Sequence, residues 1–218
     1  MVLSPDGVKH YYDRSGTFQD RQGFYEDAAL DDLVAHGDFD TARAIVEFGC
    51  GTGRFAQRLL ALASAARYEG FDISTTMLDI ARGRLSPLGD RAHLHQLEPG
   101  TVRVPLLDGS ADRFLSAYVL DLLPPQDIRT VLDEAHRLLG SGGRLCVVSL
   151  TNGKGLIPRL VAHAWHAVFR MRPQLVGGCR PIELRDYCRE PAWQVLHHRT
   201  VVRWGISSEV LVATPQHP

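Results

Sequence analysis

The sequence has few cysteines, no long apolar run and no recognisable leader. Its four cysteines, Cys50, Cys146, Cys179 and Cys188, match neither the Cys-x-x-Cys spacing of zinc sites nor a short disulfide framework. No stretch approaches the ~20 apolar residues that span a bilayer, and the first residues lack the basic and apolar segments of a signal peptide. We therefore predict a cytoplasmic protein with reduced thiols.

An excess of charge of either sign is also lacking. The 218 residues include 24 Lys and Arg against 25 Asp and Glu, which leaves a formal net charge of −1. Such a chain has no general attraction to phosphate backbones, so nucleic acid is not an expected partner. The ten histidines show no metal motif, because the neighbouring pairs His93/His95 and His197/His198 have strand spacing, and no metal is predicted. The oligomeric state stays open.

Short apolar runs alternate with stretches of helical period, which is typical of β-α-β units and a mostly parallel sheet. The strands are predicted at 44–48, 68–71, 92–97, 113–119 and 144–150, and the helices at 53–65, 75–85, 126–139, 156–171 and 182–188. Two closing runs at 193–204 and 209–213, joined through residues 205–208, are close enough for a hairpin, so the sheet should end in an antiparallel strand.

We predict a single domain over residues 1–218. Its four parts are an N-terminal cap segment (1–40), a core (41–150), a helical lid insertion (151–190) and closing strands (191–218).

A glycine loop follows the first predicted strand. Gly49, Gly51 and Gly53 allow tight turning and close approach of a ligand to bare backbone, and the next helix offers free N–H groups. A dinucleotide fingerprint needs its third glycine at position 54, where this chain has Arg54. The Gly-x-Gly-x-Gly spacing instead resembles the first motif of class I S-adenosylmethionine-dependent methyltransferases.

Further segments extend this resemblance over roughly residues 40–150. Residues 68–78 look like the family's second strand, which ends in an acidic residue, here Asp72, 21 residues after Gly51. Residues 104–114 and 117–124 are similar to the approach to the fourth strand and its end, and residues 138–145 to the turn before the fifth. The resemblance implies a Rossmann-like, doubly wound α/β fold, with a mostly parallel seven-stranded sheet, an antiparallel last strand and a helical cap.

The resemblance also implies S-adenosyl-L-methionine as cofactor. Asp72 would accept hydrogen bonds from the ribose hydroxyls, and Glu47 would contact the methionine amino group unless it is a solvated carboxylate at the rim. Glu98 would meet the adenine amino group, although the family often has Gly-Asp there and an ordinary exposed acid is the alternative. The implied cofactor-binding residues are Glu47, Gly49, Cys50, Gly51, Thr52, Gly53, Asp72, Ile73, Met77, Leu97, Glu98, Ala117 and Tyr118.

The acceptor side is implied at the end of the fourth strand. Tyr118, Asp121 and Tyr11 are the catalytic candidates, with a carboxylate favouring the next helix as the alternative for Asp121 and packing as the alternative for Tyr11. The helix at 156–171 is predicted to form a lid. It is basic and amphipathic, so it could also meet an anionic membrane, but simple packing is commoner and membrane contact is not predicted.

We therefore expect an S-adenosylmethionine-dependent methyltransferase that uses in-line displacement on a small-molecule acceptor, for which the apolar lid face hints at an apolar compound. Two alternatives stay open. One is an NAD(P)-linked Rossmann oxidoreductase, and the other is a non-catalytic protein that binds S-adenosylmethionine.

Overall fold

A computed structural model describes residues 2–216 and contains one seven-stranded sheet. The strands are β1 (Ala44–Phe48), β2 (Arg67–Asp72), β3 (Ala92–Gln96), β4 (Ala111–Ala117), β5 (Leu139–Leu150), β6 (Trp193–Arg203) and β7 (Ile206–Pro215). Their order in the sheet is β3-β2-β1-β4-β5-β7-β6, and β7 runs antiparallel to both of its neighbours. This confirms the predicted Rossmann-like α/β fold.

Helices cover both faces of the sheet because alternate strand residues point to opposite sides. The helices are α1 (Pro5–Ser15), α2 (Gly23–His36), α3 (Arg54–Leu62), α4 (Thr75–Leu85), α5 (Pro125–Leu138) and α6 (Leu156–Met171). In β1, Ile45 packs with α2 and α3 on one face, whereas Val46 packs with α5 on the other. No helix within residues 2–216 is long and apolar enough to cross a membrane.

The N-terminal segment forms two helices that the sequence did not predict. Ser4 caps α1, since its hydroxyl accepts a hydrogen bond from the Gly7 N–H at 3.1 Å. The second helix, α2, packs against the closing hairpin. There the buried Asp32 carboxylate lies 2.7 Å from His197 Nε2 and accepts a hydrogen bond from Arg199 at 2.9 Å. The start of the chain is thus joined to its last two strands.

The closing hairpin forms, but its predicted connection over residues 205–208 is wrong. The turn consists of Trp204 and Gly205, which have φ values of 54° and 79° and so match the tight two-residue hairpin turn. Ser207 and Ser208 already pair with β6. The predicted helix at 182–188 is also shorter than expected, since the structure has only the single turn Leu184–Asp186 there.

Candidate functional site

A cavity of about 230 Å³ lies at the carboxyl ends of β1, β2 and β4, where ligands bind in open α/β sheets. Its walls come from the glycine loop, the strand ends, the loop after β3 and the N-terminal helices. Among the described residues, all those that line it fall between Leu3 and Asp127. The predicted lid over residues 151–190 therefore does not reach the cavity, and residues 3–30 cover part of it instead.

The glycine loop presents bare backbone to this cavity. Gly49 has a φ of 80°, and a Cβ there would lie 2.2 Å from Cγ2 of Val119, so only glycine fits. Gly51 has a φ of 52°, and no atom lies within 4 Å of where its Cβ would be. Because α3 begins at Arg54, directly after the loop, its free N–H groups lie at the same edge of the sheet.

Asp72 closes the loop from the end of β2. Its Oδ2 accepts a hydrogen bond from the Gly51 N–H at 2.8 Å, and its Oδ1 accepts one from the Ser74 N–H at 2.8 Å. Burial raises the pKa of Asp72 above its ordinary value, against the opposing effect of these N–H groups. A carboxylate has about four acceptor positions, so Asp72 can still accept hydrogen bonds from a ligand in the cavity.

Glu47 is the most deeply buried acid that lines the cavity. Its side chain lies at the end of β1, where the Tyr68 hydroxyl donates a hydrogen bond to Oε2 at 2.5 Å. Burial raises the pKa of Glu47 from 4.5 to about 8, so the carboxyl group is mostly protonated at pH 7. A cationic ligand group beside it would favour the ionised form.

Glu47→Gln is expected to stabilise the protein by about 2–4 kcal/mol at pH 8 and to have little effect near pH 4. Between pH 4.5 and 8 the folded protein retains a proton that the unfolded chain releases, so stability falls as the pH rises through this range. Glutamine cannot ionise and removes the penalty. Denaturant unfolding at several pH values tests this, with the exposed Glu98→Gln as the control; equal pH dependence of wild type and Glu47→Gln would contradict it.

Three further acids line the cavity, Asp20, Glu26 and Asp127, and Glu26 is the most buried of them. Glu26, on α2, is 8 % exposed, and Arg54 lies 3.5 Å from its Oε2. Burial raises the pKa of Glu26 to about 7, against the opposing charge of Arg54. The mostly apolar side chains that the N-terminal helices and the end of β4 add to the lining are Leu3, Val8, Tyr12, Leu30, Tyr118 and Leu122.

Tyr118 occupies a strained position at the end of β4. Its φ is 56°, which is unusual for a bulky residue, and its hydroxyl lies 2.8 Å from that of Ser208. The Tyr25 ring packs edge-on against it, with 5.9 Å between the ring centroids. The neighbouring helix α2 and strand β7 thus hold Tyr118 beside the cavity.

Two sets of hydrogen bonds join residues 3–30, which we call the N-terminal cover, to the loops beneath them. Asp20 accepts hydrogen bonds from the Thr52 hydroxyl and from Arg84, each at 2.6 Å, and Arg84 also donates to the Thr52 carbonyl. Asp13 accepts one from the Ser74 hydroxyl at 2.7 Å. Both contacts reach residues that flank Gly51 and Asp72, so the cover and the loops form one unit.

The structure brings most of the predicted site residues together around the cavity. Glu98 is exposed outside it, Tyr11 packs beside Gly177, and Gly53 lies just behind the loop. Asp121 is fully buried and does not line the cavity; its Oδ2 accepts a hydrogen bond from the Leu150 N–H at 3.1 Å. The residues that do line it are Glu47, Gly49, Cys50, Gly51, Thr52, Asp72, Ile73, Met77, Leu97, Ala117 and Tyr118.

Sequence reasoning missed the contribution of α2. Glu26 was not singled out because its distance from the glycine loop along the chain says nothing about where a separate helix will pack. Its surroundings gave a weak signal, since Ala29, Leu30 and Leu33 follow Glu26 at the intervals that place residues on one face of a helix. An acid on the buried side of a helix is uncommon and needs a partner or a function.

Comparison with known proteins finds similarity to methyltransferases. A family described as "Methyltransferase domain" matches residues 45–143. An O-methyltransferase of Pyrenophora dematioidea is 27% identical over 154 residues, covering 70% of this chain and 54% of the relative. A malonyl-[acyl-carrier protein] O-methyltransferase of Marinomonas sp. is 27% identical over 174 residues, covering 76% and 61%. The chain thus spans a little over half the length of such relatives.

Solved structures share the whole fold. The [4+2]-cyclase SpnF superposes with a TM-score of 0.73 at 15% identity, covering 100% of this chain and 98% of the cyclase. A geranyl diphosphate methyltransferase in complex with SAM gives a TM-score of 0.64 at 15% identity, covering 87% and 85%. Because one of these proteins is a cyclase, the fold by itself does not fix the reaction. The matched domain, which spans residues 45–143, and these relatives show that the chain is similar to methyltransferases.

Proposed function

We propose that the protein is an S-adenosylmethionine-dependent methyltransferase that acts on a small-molecule acceptor. One observation carries the proposal: a covered cavity combines the Gly49–Gly51 backbone with two carboxyl groups, Asp72 and Glu47, at the ends of adjacent strands. When bound there, S-adenosylmethionine supplies a methyl group on a positively charged sulfur. Its methyltransferase relatives support the same activity.

The lining residues fit the separate parts of this cofactor. Asp72 has free acceptor capacity for ribose hydroxyls, and Glu47 suits an ammonium group because a nearby cation restores its ionised form. Apolar side chains stand between the glycine loop and the loop after β3, where an adenine ring needs apolar contacts; they are Phe71, Ile73, Met77 and Leu97. The glycine loop keeps this part of the cavity open.

The remaining space fits a compact and mostly apolar acceptor. Tyr12, Leu30 and Leu122 supply apolar surface, and Glu26 supplies a base of suitable pKa. A hydroxyl or similar group that must release its proton would be oriented by Glu26 and lose the proton to it. The N-terminal helices cover part of the cavity and would limit the access of water to the bound ligands.

Asp72→Ala is expected to weaken S-adenosylmethionine binding by about 1.5–3 kcal/mol, or roughly 10- to 150-fold, because hydrogen bonds to a charged acceptor are lost. Calorimetric titration with S-adenosylmethionine and S-adenosylhomocysteine measures the effect. The control is Glu98→Ala, which removes an exposed acid outside the cavity and should leave affinity unchanged. Unchanged affinity in a folded Asp72 variant would contradict the proposed site.

The same titrations separate the alternative functions. Binding of NAD(P) in place of S-adenosylmethionine would favour the oxidoreductase. Binding of S-adenosylmethionine with no methylated product in an acceptor screen read by mass spectrometry would favour the non-catalytic protein.

We also propose a cytoplasmic location, supported by four cysteines that are all buried and unpaired.

A further inference from the structure

Helix α6 presents an unusual outer surface. Leu156, Leu160, Ala164, Val168 and Met171 follow one another at intervals of three or four residues, so they lie on one side of the helix, and all are exposed. Leu160 is 70 % exposed and Met171 81 %. We call this side of the helix, together with the hairpin turn beside it, the α6 face.

The hairpin turn adds a tryptophan to this face. A Cβ on Gly205 would lie 3.0 Å from Cγ2 of Val161 and 3.6 Å from Cγ2 of Ile157, so the turn packs directly against the first half of α6. Its neighbour Trp204 is 81 % exposed. An exposed indole beside exposed leucines is typical of surfaces that enter the polar–apolar boundary of a bilayer.

The other side of α6 already has its partners. Ala162 and Phe169 are buried, and Trp165 donates a hydrogen bond from Nε1 to the Cys179 carbonyl at 2.9 Å. The helix is therefore anchored by its inner side, and the exposed leucines are not needed for packing within the chain.

Positive charge surrounds the α6 face. The sequence has no aspartate or glutamate between Glu134 and Glu183, although the whole chain has a formal charge of −1. Within residues 2–216, no ion pair with a carboxylate involves the exposed basic side chains of this segment, which are Lys154, Arg159, Arg170 and Arg172. Apolar and cationic groups thus occur together in this segment, and the exposed Glu183, which accepts a hydrogen bond from Asn152 at 3.3 Å, lies at its end.

We propose that the α6 face docks on an anionic lipid surface. The basic side chains would bind lipid phosphates while the leucines and Trp204 enter the boundary between headgroups and acyl chains. A second copy of this chain fits less well, because a symmetric contact would bring the same cations together. The helix has 16 residues and is about 24 Å long, so it would lie in the surface and not span the bilayer. This inference does not depend on the proposed methyl transfer.

Vesicle sedimentation tests the proposal with the full chain. The probes are vesicles of equal parts phosphatidylglycerol and phosphatidylcholine, and vesicles of phosphatidylcholine alone. We expect binding to the anionic vesicles only, weakened when salt rises from about 0.1 M to about 0.5 M. Brominated lipids should quench the fluorescence of Trp204, and this quenching should be absent from the Trp204→Phe variant. The result would locate the contact at the hairpin turn.

A matched pair of double variants gives the control. Arg159→Ser with Leu160→Ser removes one exposed arginine and one exposed leucine from the α6 face, and should weaken anionic binding by about tenfold. Arg103→Ser with Leu107→Ser makes the same changes in an exposed loop before β4, at the opposite edge of the sheet, and should leave binding unchanged. Circular dichroism checks that both fold.

Three results would overturn the proposal. The first is that the wild type does not bind anionic vesicles. The second is that both double variants lose vesicle binding equally. The third is that the wild type is a dimer in solution and that only the α6 double variant abolishes the dimer. The last result would assign the face to self-association.

Discussion

Glu26→Gln is expected to slow methyl transfer by at least about 100-fold while changing S-adenosylmethionine affinity by no more than about twofold. Glutamine keeps the size of the side chain but cannot accept the acceptor's proton. Glu26 lines the same cavity as Asp72 and Glu47 but comes from α2, not from a strand end. Single-turnover rates with an acceptor from the mass-spectrometric screen, alongside calorimetry, separate the two effects.

The dependence of the methyl-transfer rate on pH reports the protonation state of Glu26. The rate should rise as Glu26 loses its proton and level off above about pH 7, because burial raises the pKa of its carboxyl to about 7 and Arg54 opposes that shift. Arg54→Gln should move the midpoint to higher pH. Arg58→Gln is the matched control, since Arg58 also joins α3 to α2, through Asp31, but does not line the cavity.

Asp121→Asn, in contrast to Glu26→Gln, is expected to have little effect on methyl transfer. Asp121 is buried behind the cavity wall, and asparagine can still accept the Leu150 N–H hydrogen bond. A near-normal rate is expected. If Asp121→Asn abolished the reaction and Glu26→Gln did not, Asp121 and not Glu26 would accept the proton of the methyl acceptor. That result would agree with the prediction from the sequence.

Gly51→Val is expected to reduce cofactor binding below calorimetric detection while the sheet stays folded. The valine side chain would occupy space beside the cavity that is free of protein atoms and would cover backbone that the cofactor needs to approach. Its φ of 52° adds strain of about 1–2 kcal/mol.

Gly142→Val controls for that strain. Gly142 has a φ of 77° and equally open surroundings, but it lies in the irregular start of β5, between Leu139 and Arg144, which pair with β4, and it does not line the cavity. Both variants should lose similar stability in denaturant unfolding, and only Gly51→Val should lose binding. Tight binding by Gly51→Val would mean that the loop is a structural turn and that the cofactor binds elsewhere.

The glycine loop and the strands around it could be predicted because their signals are local. Three glycines after an apolar strand require unusual backbone angles, and an acid 21 residues later reaches the neighbouring strand end after one helical crossover. The observed hydrogen bond between Asp72 and the Gly51 N–H is the direct result of that spacing.

Features that depend on distant packing could not be predicted in the same way. Glu26 lines the cavity only because α2 docks against the distant strands β5, β6 and β7. The helix α6 was expected as a lid because amphipathicity shows that a face is apolar without showing what it meets. Trp204 in the hairpin turn is a third case, since a positive φ at a tryptophan has no sequence signal.

The link between α2 and the closing hairpin has a consequence for synthesis of the protein. Asp32 and its partner His197 are 165 residues apart, so α2 cannot form its contacts with the closing hairpin until almost the whole chain has left the ribosome. Until then, α2 would depend on its other contacts, such as the ion pair between Asp31 and Arg58 of α3. Loop closure over this distance is slow, so a nascent chain stalled before β6 should be open to proteases at α2.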